Sequence, residues 1–343
     1  MKKIAVVLLL VFAVLLLSER VGESTGRHAE GVSGNYSLTL KHDGLQREYI
    51  VFVPSGYTAE DEVSLVLALH GGGGNIKDAD NYFGLSEKAE EEGFILVYPQ
   101  GTGNEVLGTK YGSWNAWECC EPALSNNVDD VGFIAKLIKE IKTNYSIDSK
   151  RVYVTGMSNG GQMSYKLACE LSNVVAAVAP VGSIVYSENC EGERLVPIIH
   201  LQGVEDKCSL WEGGVCSECM TSFFNRIGVP GEFSKGRSCL SVEGYVELWR
   251  KRNACASERT VTYQERGAVC YEYEDCGADV VFCKDESLGH AWPGRETNSA
   301  AACEKNPNGV LCRAWVEEIE GDPSVDLPAN DMIWDFFMAH PFE

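Results

Sequence analysis

The run RVYVTGMSNGGQMSYKLACEL, from Arg151 to Leu171, restricts the possible folds more than any other part of the chain. Val152-Tyr153-Val154-Thr155 has the β-branched and aromatic character of a strand, and it breaks at Gly156. A helical pattern resumes two residues past Gly160. So tight a corner would make side chains flanking the central residue clash, which accounts for glycine at both ends. The corner lifts the Ser158 hydroxyl above the sheet edge. It also aims the helix N-terminus and the Asn159 backbone N–H at whatever that hydroxyl meets. Gly-x-Ser-x-Gly is short enough to arise by chance, but between a strand and a helix it presents a serine nucleophile. The bland alternative is a glycine-rich turn carrying an N-cap serine.

Strand-like stretches recur at Glu48–Val53, Leu65–Leu69, Phe94–Tyr98, Val174–Ala179, Val196–Leu201 and Val280–Cys283. Amphipathic, helix-length segments lie among them at Asp78–Glu92, Asp129–Tyr145, Gln162–Leu171 and Val242–Arg252, with a last one at Asn330–Ala339. Buried strands alternating with helices predict an α/β fold, a mostly parallel sheet with helices on both faces. One domain is expected over residues 35–343, with a cysteine-rich excursion at 207–241 across the top of the sheet.

Lys2 and Lys3 precede fourteen apolar residues, Ile4 to Leu17. A membrane span needs about 20 such residues, so a secretory signal over 1–24, with an uncertain cleavage point, is the expectation. Export suits the fourteen cysteines, because disulfides persist in oxidising compartments. Cys216 and Cys219 form one C-x-x-C with no second pair to complete a zinc site, so no metal is expected. Cys255–Cys276 and Cys303–Cys312 are the expected bridges, while adjacent Cys119 and Cys120 are each expected to bond a distant partner. The net charge of −21 argues against nucleic acid and against anionic membrane surfaces as partners. Asn35 and Asn144 each begin an Asn-Tyr-Ser sequon.

A serine needs a base, and in this chain order the histidine follows an acid that follows the serine. His290 and His340 qualify. His340 ends the last helix, where a histidine often only complements the dipole, so His290 in Leu-Gly-His-Ala-Trp-Pro-Gly is the candidate base. The strand Val196–Leu201 runs into Gln202-Gly203-Val204-Glu205-Asp206, where Asp206 is preferred to Glu205 as the acid. Leu69-His70-Gly71-Gly72-Gly73-Gly74 matches the glycine loop that supplies an oxyanion donor, Gly72 first and Gly73 next, paired with Asn159. His70 is expected to be structural. Trp114 and Trp292 are candidates to line a substrate cleft, with core filling as the rival for each.

Taken together, "LHGGGGN", "SNNVDDVGFIAKLIKEI", "RVYVTGMSNGGQMSYKLACE", Glu212-Gly213-Gly214, "SVEGYVELWRKRNAC" and "GHAWPG" resemble one family along nearly all of the chain from about Asn35. It is the secreted esterases grouping feruloyl esterases of carbohydrate esterase family 1 with extracellular polyhydroxybutyrate depolymerases. The resemblance implies an α/β-hydrolase fold and ester hydrolysis without metal or organic cofactor. It implies Ser158 as nucleophile, Asp206 as acid and His290 as base. Members often carry His-Gly where this chain has Gln202-Gly203, and the stretch Cys208–Cys239 is longer than the family pattern. A feruloyl or acetyl ester of plant polysaccharide is the expected substrate, a polyhydroxyalkanoate the alternative. A non-catalytic recognition protein on the same scaffold and a peptidase are weaker readings.

Overall fold

Val63–Leu69 is apolar at every position but Ser64, a run that is stable only with both faces of its strand covered. The structure, a computed structural model, describes residues 33–106, 109–185, 190, 192–216, 218–228, 237–295, 303 and 306–343. The expected signal segment 1–24 lies outside them, as do residues 217 and 229–236 of the expected excursion.

The strands are β1 (Gly34–His42), β2 (Leu45–Val53), β3 (Val63–Leu69), β4 (Ile95–Pro99), β5 (Thr102–Val106), β6 (Thr109–Ser113) and β7 (Ile147–Met157). They continue as β8 (Ala177–Val181), β9 (Ile198–Gly203), β10 (Gly214–Cys216), β11 (Arg237–Cys239), β12 (Arg259–Glu265), β13 (Ala268–Tyr273) and β14 (Val280–Asp285). Ten of them form one sheet in the order β1-β2-β4-β3-β7-β8-β9-β14-β13-β12. The inner strands β4 to β14 are parallel, and antiparallel strands close both edges. At one edge β1 alternates half-buried and exposed residues, which suits an antiparallel pair with one solvated face, whereas the opposite edge strand β12 is exposed or half-buried throughout.

Helices α1 (Ile76–Phe83), α2 (Leu85–Glu92), α3 (Asp130–Asn144), α4 (Asn159–Glu170), α5 (Cys219–Arg226), α6 (Val242–Arg252), α7 (Val310–Trp315) and α8 (Ala329–Ala339) complete the fold, with a π turn at Val316–Glu320. Leu65, Leu67 and Leu69 pack with α3, α4 and α6 on one face, while Val66 and Ala68 pack with α1, α2 and α8 on the other. The single helix expected over Asp78–Glu92 is two helices. Gly84 stands between them at φ 63°, and its N–H bonds back to Asp80 O to end the first.

Cys255–Cys276 and Cys303–Cys312 are bridged, as expected from sequence. Cys119 and Cys120 instead bond each other, and the other twelve cysteines are paired among themselves. The excursion is held by Cys208–Cys219 and Cys216–Cys239. Its helix α5 packs beside the π turn, with Met220 and Phe223 against Ile319 and Trp315.

Candidate active site

Ser158 occupies the turn between β7 and α4 at φ 54° and ψ −121°, a strained setting for a residue with a side chain. The glycines are required by close approach rather than by their own dihedrals. A Cβ on Gly160 would lie 2.1 Å from Leu69 O, and one on Gly156 would lie 2.6 Å from the Gly160 backbone. The corner is therefore wedged against the end of β3, and the loop after β3 faces it. Cβ positions at Gly71 and Gly72 lie 3.4 Å and 3.6 Å from the Ser158 and Asn159 Cβ atoms.

That loop has few backbone donors to spare. Gly73 N–H is committed to Gly112 O at 2.9 Å and Gly74 N–H to Gly71 O at 2.9 Å. Gly73, the second choice as oxyanion donor, is thereby excluded. The N–H groups of Gly72 and Asn159 have no protein acceptor among the described residues. The Asn159 side chain turns away from the corner and clamps the backbone of Trp114, accepting its N–H at 2.7 Å and donating to its C=O at 3.1 Å. His70 anchors the glycine loop from below, donating from Nδ1 to Gly71 O (2.8 Å) and accepting Gly101 N–H at Nε2 (2.9 Å). Burial pushes its imidazole down to about 4, so it stays neutral in this role.

Asp206 and His290 leave the ends of β9 and β14, which are parallel neighbours. The loops after them are stitched by Val204 N–H to Asp285 O and Glu205 N–H to Leu288 O. His290 Nδ1 lies 2.8 Å from Asp206 Oδ2. The other carboxylate oxygen accepts the N–H groups of Cys208 and Ser209, both at 2.7 Å, and Gln202 Nε2 adds a third donor at 2.9 Å to Oδ2. A carboxylate with this many hydrogen-bond partners is fixed in place. His290 is 8% exposed, and its own N–H is tied to Ile319 O of the π turn.

Gly182 joins this pair to the corner. Ser158 N–H donates to Val181 O at 2.9 Å, and a Cβ on Gly182 would lie 2.6 Å from Met157 Cε and 3.6 Å from Asp206 Oδ2. The chemistry available is therefore a strained serine, a carboxylate-oriented imidazole and two backbone donors past the carboxyl ends of the inner strands. Asp206, Cys208 and His290 also cluster closely enough to suggest a metal. The donor set does not fit one: Cys208 has no thiolate because it is bonded to Cys219, and the other two side chains are committed to each other.

The two tryptophans are not cleft residues. Trp114 is 0% exposed, donates from Nε1 to His70 O (2.9 Å), and packs against the His70 ring. Trp292 is 2% exposed, donates to Asn330 Oδ1 (2.9 Å), and lies edge-on to Phe83. Both are core, and each has spent its N–H on the protein. Two contributors escaped sequence reasoning. Gln202 was noted only as the residue standing where the resembled family often has His, with no role assigned to it. Arg47 pairs with Asp130 (2.8 Å), whose second oxygen accepts Asn115 N–H beside the clamped Trp114, and nothing in its local sequence announces that contact.

Residues 47–216 match the family model described as "Esterase PHB depolymerase". Feruloyl esterase B of Piromyces equi is 29% identical over 71% of this chain and 42% of its own length. Probable feruloyl esterase C of Aspergillus flavus is 33% identical over 49% of this chain and 58% of its own. The chain thus spans about half the length of these curated relatives. Among solved structures, the acetyl xylan esterase from Aspergillus awamori superposes with a TM-score of 0.52 at 14% identity, over 75% of this chain and 94% of that one, which shows the fold. The sheet order, the wedged corner and these likenesses agree: the fold is that of the α/β-hydrolases, and residues 47–216 carry the pattern of the esterase family to which the feruloyl esterase likenesses also point.

Proposed function

We propose that this protein is a secreted serine carboxylic-ester hydrolase that releases feruloyl or acetyl groups from plant polysaccharide through an acyl-enzyme. The observation that supports it most is the His290–Asp206 contact at 2.8 Å, linked through Gly182 to the Ser158 corner. Ser158 Oγ attacks the ester carbonyl while His290 takes its proton. The same imidazole then returns the proton to the departing alcohol. Asp206 orients the ring and offsets its charge. The N–H groups of Gly72 and Asn159 hold the oxyanion, and a donor of this kind is worth about 100- to 1000-fold in rate. Water, activated by His290, then frees the acid. Secretion is supported by the apolar run Ile4–Leu17 and by seven disulfides, which persist in oxidising surroundings.

The named feruloyl and acetylxylan esterase relatives favour polysaccharide esters. The description of the family model favours a polyester, which makes polyhydroxybutyrate depolymerase the second reading. Side-by-side turnover of methyl ferulate, nitrophenyl acetate, a hydroxybutyrate oligomer and a peptide separates them. Methyl ferulate and nitrophenyl acetate are the expected substrates. Turnover of the oligomer alone selects the second reading, and no ester turnover refutes both.

A further inference from the structure

Gln202 is fully buried, and its role follows from what a carboxylate will tolerate. Asp206 only accepts, so the Gln202 NH2 group faces it, 2.9 Å from the same Oδ2 that meets His290. The Gln202 carbonyl oxygen then points away. His200 precedes it by two residues on β9, on the same face of the strand, and is equally buried. By strict bond geometry His200 Nε2 and Gln202 Oε1 both lack a partner, yet the Gln202 side chain is near enough to hydrogen-bond that imidazole. The two orphans complement each other, so they count as one loosely made bond with His200 Nε2 as donor. The neutral ring must then accept at Nδ1, where Tyr165 Oη lies 2.5 Å away and donates. Tyr165 is itself clamped by the rings of Tyr245 and Trp249.

We infer that Tyr165, His200 and Gln202 form a buried positioning chain that fixes the Gln202 amide with its NH2 toward Asp206 and so sets how strongly Asp206 attracts the proton of His290. This deepens, and rests on, the hydrolase reading above. The direction is calculable in sign. A donor on Oδ2 withdraws negative charge from the oxygen that faces the imidazolium. Removing it strengthens that oxygen's hold on the His290 proton, and the acid limb of kcat/KM moves to higher pH. Tyr165 acts at one remove. Without its hydroxyl, His200 is free to carry its proton on Nδ1, and Gln202 then turns its carbonyl toward Asp206, with an effect of the same sign. The other titratable groups around the pair are Tyr82 on α1, Glu320 in the π turn, Asp285 at the end of β14, and Glu205 and Lys207 beside Asp206. Burial, with the charges of Glu320 and Asp206, holds the Tyr82 phenol neutral. The variants below leave all five in place.

The test is kcat/KM against pH for a short-chain nitrophenyl ester, with thermal melting followed in parallel. Gln202→Leu is expected to move the acid limb upward by roughly 0.5–1 pH unit, since the lost bond is to a charged group. It is also expected to lower kcat/KM at neutral pH about 10-fold, on the scale of one such bond. Tyr165→Phe, which keeps the ring and its packing, moves the limb in the same direction by less, and it carries the test alone if Gln202→Leu does not fold. Variants that melt lower but keep the wild-type acid limb overturn the proposal, because a packing role predicts that pattern. Undiminished turnover by Ser158→Ala removes the hydrolase reading and the positioning chain with it, a failure distinguishable from the first.

Discussion

Replacing Arg47 by methionine keeps the aliphatic stem and deletes the charge from a pair that is buried on both sides. Arg47 donates to Asp130 Oδ1 at 2.8 Å and to Gln100 O at 2.9 Å, and it lies over the Phe133 ring at 4.0 Å. Burial already pushes the Asp130 carboxyl above its usual value although Arg47 pulls it down in part. Without Arg47, Asp130 is either an unpaired buried charge or must bind a proton. Losing one partner of a buried pair costs about 3–5 kcal/mol. At roughly 2–4 °C per kcal/mol for a domain of this order of size, the melting temperature at pH 7 falls by on the order of 10 °C. The sign with pH follows. A carboxyl raised in the folded state is least costly below its unfolded value near 3.8 and costs more as pH rises through the folded one. The deficit of Arg47→Met is therefore largest at pH 7 and shrinks toward pH 4, and adding Asp130→Asn restores much of it at pH 7. Calorimetric melts of the wild type and both variants at pH 4, 5.5 and 7 measure this. A deficit that neither varies with pH nor responds to Asp130→Asn refutes the reasoning, because the loss is then one of packing alone.

Asp206→Asn leaves the pair's geometry but favours the wrong imidazole tautomer, so kcat should fall by about 10⁴ with little change in melting; equal kcat would move the acid elsewhere. Gly160→Ala drives a Cβ to 2.1 Å from Leu69 O and should yield an unfolded or strongly destabilised protein, whereas Gly71→Ala, whose added Cβ meets nothing closer than 3.4 Å, should melt near the wild type. Similar melts for the two would mean that the corner is not wedged as described.

The corner was legible because strand, turn and helix follow one another in sequence and Gly156 closes on the Gly160 backbone, a local demand; the wedging of Gly160 against Leu69 O of β3 belongs to the assembled sheet. His290 was singled out through chain order, and its contact with Asp206 is what the structure adds. Asp206 took help from resemblance, since two acids share its loop. The edge strands were harder to see. Tyr36 to His42 alternates half-buried and exposed residues, a weaker signal than the continuous apolar runs of β3 or β4. Trp114 and Trp292 misled because proximity in sequence to a site says nothing about which way a ring turns; burial was decided by His70 and Phe83, which are distant along the chain. Asp130 could be placed in a first helical turn from the dipole alone, but its pairing with Arg47 on β2 spans 83 residues and belongs to the assembled core.

The central claim is that the serine at the wedged corner reacts because the imidazole at 290 draws off its proton. A nitrophenyl phosphonate, followed by peptide mass spectrometry, reads that reactivity without any assumption about the natural ester. Stoichiometric labelling of Ser158 in the wild type and its loss in His290→Ala is the predicted result. A label on another serine, or undiminished labelling of Ser158 in His290→Ala, contradicts the account.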